Sequence, residues 1–258
     1  MNSIEYRYDG TFQGFLCAVF DIYSRRDDPV AIHPTEVPSL LFTDKYTVIT
    51  NAERAERVWD GIVRTGGEKT GEHIYHAFLS CEKNVEILLM RYLRHLFLCK
   101  RPVMDDLAYP DVLKVFQLYR TVSREAHRIL MFLRFEQSAD GVYFAPFAPK
   151  YDVLPLTLNH FKSRFASQSW IIYDTARNYG FYYDLQTVER ITINEPAFNR
   201  ETGKLARNAE HPDENQWQAL WQIYFKKTAI AERKNLLLQQ NFMPKRFWKY
   251  LTEKRAIV

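Results

Sequence analysis

Cysteine is scarce in this sequence, with only Cys17, Cys81 and Cys99 present. The number is odd and no two stand two residues apart, so a zinc ribbon or an iron–sulfur motif is not encoded. A sparse, odd set fits a reducing compartment. Glycine and proline are also few, 9 and 11 in 258 residues, which excludes a linker-rich or disordered chain. Long apolar runs are missing too. The most apolar stretch, Val85 to Cys99, is broken by Arg91, Arg94 and His95, so no membrane span is expected. The opening MNSIEYRYDG has no basic region leading into an apolar one, so the expected location is the cytoplasm.

Several catalytic motifs are absent as well. Residues 65–71, TGGEKTG, imitate a P-loop, but Glu68 stands where a glycine must precede the Lys-Thr pair, and no apolar strand leads in. The segment reads as a glycine-rich turn. His73 and His76 are three apart on a helical stretch but lack a third ligand, so no metal site and no cofactor is expected. The chain contains no GxSxG elbow, no HxE with a later PCxxC, no CxxxCxxC and no GxDPY.

What is present is an uneven distribution of charge. Residues 1–50 carry 4 Lys/Arg and 7 Asp/Glu, whereas residues 226–255 carry 9 Lys/Arg against only Glu232 and Glu253. That asymmetry suits an anionic partner.

The hydrophobic pattern predicts an α+β protein. It has a helical N-terminal half, a small antiparallel sheet with a backing helix, and a helical, basic C-terminal tail. In the first region, 1–125, Ile4 to Tyr8 and Lys45 to Ile49 are short strand candidates. Asp9 or Thr11 caps a helix to Ser24 and Asn51 caps one to Thr65. Residues 27–38, with Pro29, Pro34 and Pro38, read as loop. Helices over 72–80, 84–99 and 110–133 follow. In the second region, 126–195, short aromatic and β-branched segments at 132–136, 142–148, 170–174, 179–184 and 188–193 flank a helix over 154–165. Asp140-Gly141 is a hairpin signal there. In the third region, 196–258, a polar linker with Pro196, Gly203 and Pro212 leads to a helix from Glu214 to about Glu232. Trp217, Leu220, Trp221, Tyr224 and Phe225 mark the side expected to be buried. The tail from Asn235 to Leu251 should dock through Phe242, Phe247, Trp248 and Tyr250.

Two clusters could meet nucleic acid. On a helix, Arg124, His127 and Arg128 share one face, three and four residues apart, a spacing that suits phosphates and equally a solvated face. The tail offers Arg233, Lys234, Asn235, Lys245, Arg246, Trp248 and Lys249. There, cations neutralise phosphates, amides read base edges and aromatic rings stack on unpaired bases. A docked helix with solvated basic groups is the alternative reading. Acid–base candidates are His127, His160, Asp174 and Glu232, with no partner assignable to any of them.

At this tail the sequence resembles the bacterial "probable DNA metabolism protein" family, and the resemblance covers nearly the whole chain. The matching pieces are Tyr8-Asp9-Gly10 with Phe12, Gly14 and Phe15, then Arg124-Glu125-Ala126-His127-Arg128 and Asp140-Gly141-Val142-Tyr143. They continue with Val153-Leu154-Pro155, His160-Phe161, Arg164-Phe165, Trp170-Ile171-Ile172 with Asp174, and Trp221 with Phe225. Glu232-Arg233-Lys234-Asn235 and Phe242-Met243-Pro244-Lys245-Arg246 complete the set. Two positions depart from the family pattern: Phe247 stands where tyrosine is expected, and Tyr173 where histidine is frequent. Chemistry that depended on that hydroxyl or imidazole would be missing here. Such proteins are encoded beside a radical SAM protein, and the same domain follows a uracil-DNA-glycosylase-like domain in fused chains. The resemblance implies DNA repair or modification by association only.

The sequence thus leads to a DNA-binding accessory protein, with DNA expected over RNA, acting with a radical SAM or uracil-glycosylase-like partner. An enzyme acting on a base or nucleotide, and a protein-binding structural subunit, are the two alternatives.

Overall fold

A computed structural model describes residues 4–39, 43–193, 198–199, 204–206 and 208–255. The fold is α+β, and the chain divides into two compact units, Met1–Ser123 and Arg124–Val258.

The first unit opens with β1 (Ile4–Tyr8), α1 (Phe12–Arg25), β2 (Ala31–Pro34) and β3 (Asp44–Thr47). These strands form a parallel sheet in the order β2-β1-β3, with Tyr6 opposite both Ile32 and Tyr46. The region is mostly helical, and its strands at Ile4–Tyr8 and Asp44–Thr47 fall where strand candidates were expected; the sheet corrects only the reading of residues 27–38 as loop. β2 is only four residues, AIHP, between prolines, and so carries too little alternation to reveal itself. Thr11 caps α1, its side chain accepting from the Gly14 N–H, and Asn51 caps α2 (Ala52–Gly66) in the same way through Arg54. Gly67, at φ +81°, separates α2 from α3 (Glu68–Phe78). Helix α3 therefore starts four residues earlier than expected and carries Gly71 inside it, where a Cβ would lie 2.7 Å from the Trp59 ring. α4 (Val85–Cys99) and the first part of α5 (Pro110–Phe132) complete the unit. Tyr6, Phe15, Ile32, Ile62, Ile74, Leu89 and Leu93 are fully buried in its core.

The second unit is built on a five-stranded sheet ordered β4 (Glu136–Gln137), β5 (Tyr143–Phe147), β6 (Trp170–Asp174), β7 (Tyr179–Tyr183) and β8 (Val188–Ile191). The expected antiparallel sheet is in fact mixed, because β5 and β6 run parallel while the other pairs are antiparallel. The cause is the long connection between β5 and β6, which is a crossover through a 3₁₀ turn (Leu154–Leu156) and α6 (Leu158–Arg164). From α6, Phe161 packs its ring edgewise on the fully buried Trp170. The Asp140-Gly141 signal does close a hairpin, with Gly141 at φ +84°. Residues 132–135, expected in the first strand, instead end α5 and lead into a two-residue β4. Gly180 on β7 has no room for a side chain, since a Cβ would lie 2.5 Å from the Ile172 carbonyl oxygen.

Pro196 and Gly203 of the expected linker lie outside the described residues. After it come α7 (Glu214–Thr228), a 3₁₀ turn (Ala231–Arg233), α8 (Leu236–Phe242) and a 3₁₀ helix (Lys245–Tyr250). α7 stops at Thr228 rather than near Glu232. The side expected to be buried faces solvent, with Trp217 63%, Leu220 56% and Tyr224 59% exposed. The inward anchor of α7 is instead Glu214, whose buried carboxylate accepts from the Gln137 N–H at 3.0 Å and from Gln218 Nε2 at 3.0 Å.

Candidate nucleic-acid interface

Three buried glutamates of the second unit organise the basic tail. Glu125, on the inner side of α5, accepts from the Lys150 N–H at 3.0 Å and from Arg246 Nη2 at 2.5 Å, with Arg128 Nη1 at 3.6 Å. Glu136 pairs with Arg255. Glu253 accepts from Arg134 Nη2 at 2.8 Å and from the Trp221 indole N–H at 2.9 Å. Burial raises the Glu253 pKa, but the bonds from Arg134 and Trp221 outweigh it and hold the carboxyl below its ordinary value. Each buried charge is thus compensated, as burial demands.

The tail aromatics divide sharply. Phe247 and Tyr250 are core, Phe247 against Phe132 at 5.9 Å between ring centres and Tyr250 with its hydroxyl 3.2 Å from Thr175 Oγ1. The half-buried Trp248 donates its indole N–H to the Met243 carbonyl at 3.0 Å. Phe242, expected to dock, is 68% exposed.

The cations divide in the same way. Arg246 is held by Glu125, whereas Lys226, Lys227, Arg233, Lys234, Lys245 and Lys249 are exposed and form no ion pair among the described residues. Lys249 lies over the Tyr250 ring at 4.9 Å. Asn235 uses its side-chain oxygen to cap α8, accepting from the Leu238 N–H at 2.9 Å. On α5, Arg124 and His127 are exposed and Arg128 is half-buried beside Glu125. Sequence reasoning gave the helical face of 124, 127 and 128 but missed the exposed rings of α7, since their apolar spacing reads as core.

The acid–base candidates are not brought together by any hydrogen bond or ion pair among the described residues. His127 is on α5, His160 exposed on α6, Glu232 exposed in the 3₁₀ turn, and Asp174 buried at the end of β6. Asp174 is fully engaged. Its Oδ1 accepts from the N–H groups of Ala176 at 2.9 Å and Arg177 at 3.1 Å, and its Oδ2 from Arg177 Nη1 at 2.8 Å. Burial outweighs these bonds and raises its pKa. Tyr173 and Phe247 are both buried, and the Tyr173 hydroxyl donates to Asn178 Oδ1 at 2.9 Å. In the first unit the His73 ring lies 3.9 Å from that of Tyr119, and His76 Nδ1 is 2.8 Å from Ser123 Oγ. Among the described residues no group of three or more His, Cys, Asp or Glu is placed to hold a metal ion, and no helix is long and apolar enough to cross a membrane.

Residues 83–253 match the model of DUF4130, a domain of unknown function, and the chain belongs to that family. No curated protein and no solved structure matches the chain.

Proposed function

We propose that the protein binds DNA as an accessory subunit in DNA repair or modification, presenting it to a catalytic partner of the radical SAM or uracil-glycosylase-like class. One observation carries the reading. Between Lys226 and Lys249 six cations reach solvent without a carboxylate partner among the described residues, and the one exposed acid in that stretch is Glu232. Surface cations are normally interspersed with acids. An uncompensated group of this size attracts a polyanion. The partner class rests on the family resemblance in the sequence.

The test is fluorescence anisotropy of the purified protein with labelled single- and double-stranded DNA from 50 to 300 mM salt. Micromolar or tighter binding that weakens steeply with salt is expected. No binding at the lowest salt overturns the proposal.

A second reading, a subunit that binds only protein, is favoured by Leu236, Leu237 and Leu238 on α8. They are consecutive at the start of the helix and are 53%, 77% and 52% exposed. Aliphatic side chains in that number suit a protein interface better than a phosphate backbone. Co-purification with a partner and no affinity for DNA would select it.

A further inference from the structure

We infer that the exposed face of α7 is a platform on which unpaired bases stack, which makes the protein selective for single-stranded over duplex nucleic acid. The inference rests on the nucleic-acid reading above and adds the form of the ligand and the surface that reads it.

Trp217, Trp221 and Tyr224 stand at helical positions i, i+4 and i+7, so their rings project from one face. They are 63%, 39% and 59% exposed. The rings span about 10 Å of helix rise, which is about three base steps at ~3.4 Å each. Trp221 is fixed in orientation. Its indole N–H is held by Glu253, the Arg134 guanidinium lies 5.8 Å from its ring centre, and the Tyr224 ring is 5.7 Å away at 33°. Rigid rings lose little freedom when a base covers them.

The charge on the helix selects the occupant. Its one carboxylate, Glu214, is buried and bonded, while Lys226 and Lys227 are exposed in the last turn. Lys227 follows Tyr224 by three residues and so lies on the flank of the same face. The exposed Asp213 is the N-cap residue at the opposite end of the helix, so at the Tyr224 end the rings stand beside cations alone, which matches a strand that offers flat bases and phosphates together. A duplex conceals its base faces and offers only edges in its grooves.

The experiment compares the full-length protein with the double variant Trp217→Ala/Tyr224→Ala. It measures anisotropy with a single-stranded oligonucleotide and its duplex, together with sedimentation mass and a thermal melt. Both side chains are exposed, so the melt should be unchanged. The wild type should prefer the single strand. The variant should lose on the order of tenfold single-strand affinity per ring, with the duplex affinity and the salt slope retained. Single-strand binding that survives the double substitution overturns the inference and leaves the nucleic-acid reading intact. A wild-type dimer that dissociates on substitution, with DNA affinity unchanged, also overturns it and assigns the face to a second copy of the chain. Absence of binding to either DNA at low salt overturns the nucleic-acid reading and the inference with it.

Discussion

Lys245 and Arg246 are adjacent basic residues with different tasks, and substituting each alone by alanine separates binding from stability. Lys245 is exposed and makes no ion pair among the described residues. Lys245→Ala should therefore change stability by less than about 0.5 kcal/mol. If Lys245 contacts phosphate, the slope of log affinity against log salt should shrink by about 0.7 for a single strand or 0.9 for a duplex. Contacts from all six exposed cations would give a total slope of about −4 on a single strand or −5 on a duplex. Arg246 instead reaches the buried Glu125 at 2.5 Å, its own side chain 41% exposed. Its removal costs Glu125 one charge-assisted bond, worth about 1.5–3 kcal/mol. Because Arg246 is partly solvated and Arg128 and the Lys150 N–H remain at Glu125, the lower half of that range applies. That corresponds to a fall in melting temperature of about 3–8 °C. Titration against labelled DNA at four salt concentrations, with a thermal melt of each variant, reads both quantities. A stable Arg246→Ala variant with a reduced slope, or a destabilised Lys245→Ala variant, would refute the assignment.

Three further outcomes follow from the geometry. Asp174→Ala removes the acceptor of two turn N–H groups and of Arg177, and should cost about 2–4 kcal/mol in a denaturant titration; an unchanged midpoint would show that the turn does not depend on it. Gly180→Ala drives a Cβ to 2.5 Å from the Ile172 carbonyl and should lower stability by more than about 2 kcal/mol, read by the same titration, a neutral effect being inconsistent with this strand packing. Burial lowers the pKa of His73 and of His76, outweighing the opposing pull of Glu72. Their contribution to stability is therefore present above about pH 6.5, the ordinary histidine value, and is lost as pH falls through the lowered values. Urea midpoints should drop between pH 7.5 and 5.5, with a smaller drop in His73→Phe, and a flat wild-type profile in that window would contradict it.

Local patterns were legible in the sequence wherever one segment determines its own conformation. Thr11 and Asn51 cap helices as read, Asp140-Gly141 closes its hairpin, and Trp170 to Asp174 is a strand. What escaped is what depends on distant partners. Nothing in Tyr143–Phe147 or Trp170–Asp174 specifies that the two run parallel, because the direction is set by the crossover between them. β2 owes its existence to the ladder of β1 rather than to its own four residues. The spacing of Trp217, Leu220 and Tyr224 correctly groups them on one face, yet periodicity does not say whether that face is covered. At the tail, the same run of basic and aromatic residues splits into Phe247 and Tyr250, buried by distant Phe132 and Thr175, an Arg246 pinned by Glu125, and a solvated Lys245.

The three buried glutamates also order the birth of the second unit on the ribosome. The pairs Glu125–Arg246, Arg134–Glu253 and Glu136–Arg255 join residues 121, 119 and 119 positions apart. Until residues 246–255 emerge, Glu136 and Arg134 wait without these counter-ions and Glu125 has only Arg128, and the nascent sheet lacks its last closure. Loops of that length must close before the contacts reward them, which makes this step slow relative to local helix and hairpin formation. The unit is therefore completed only once residues 246–255 are free to reach residues 125–136. A ribosome stalled near residue 240 would display an open, protease-sensitive intermediate.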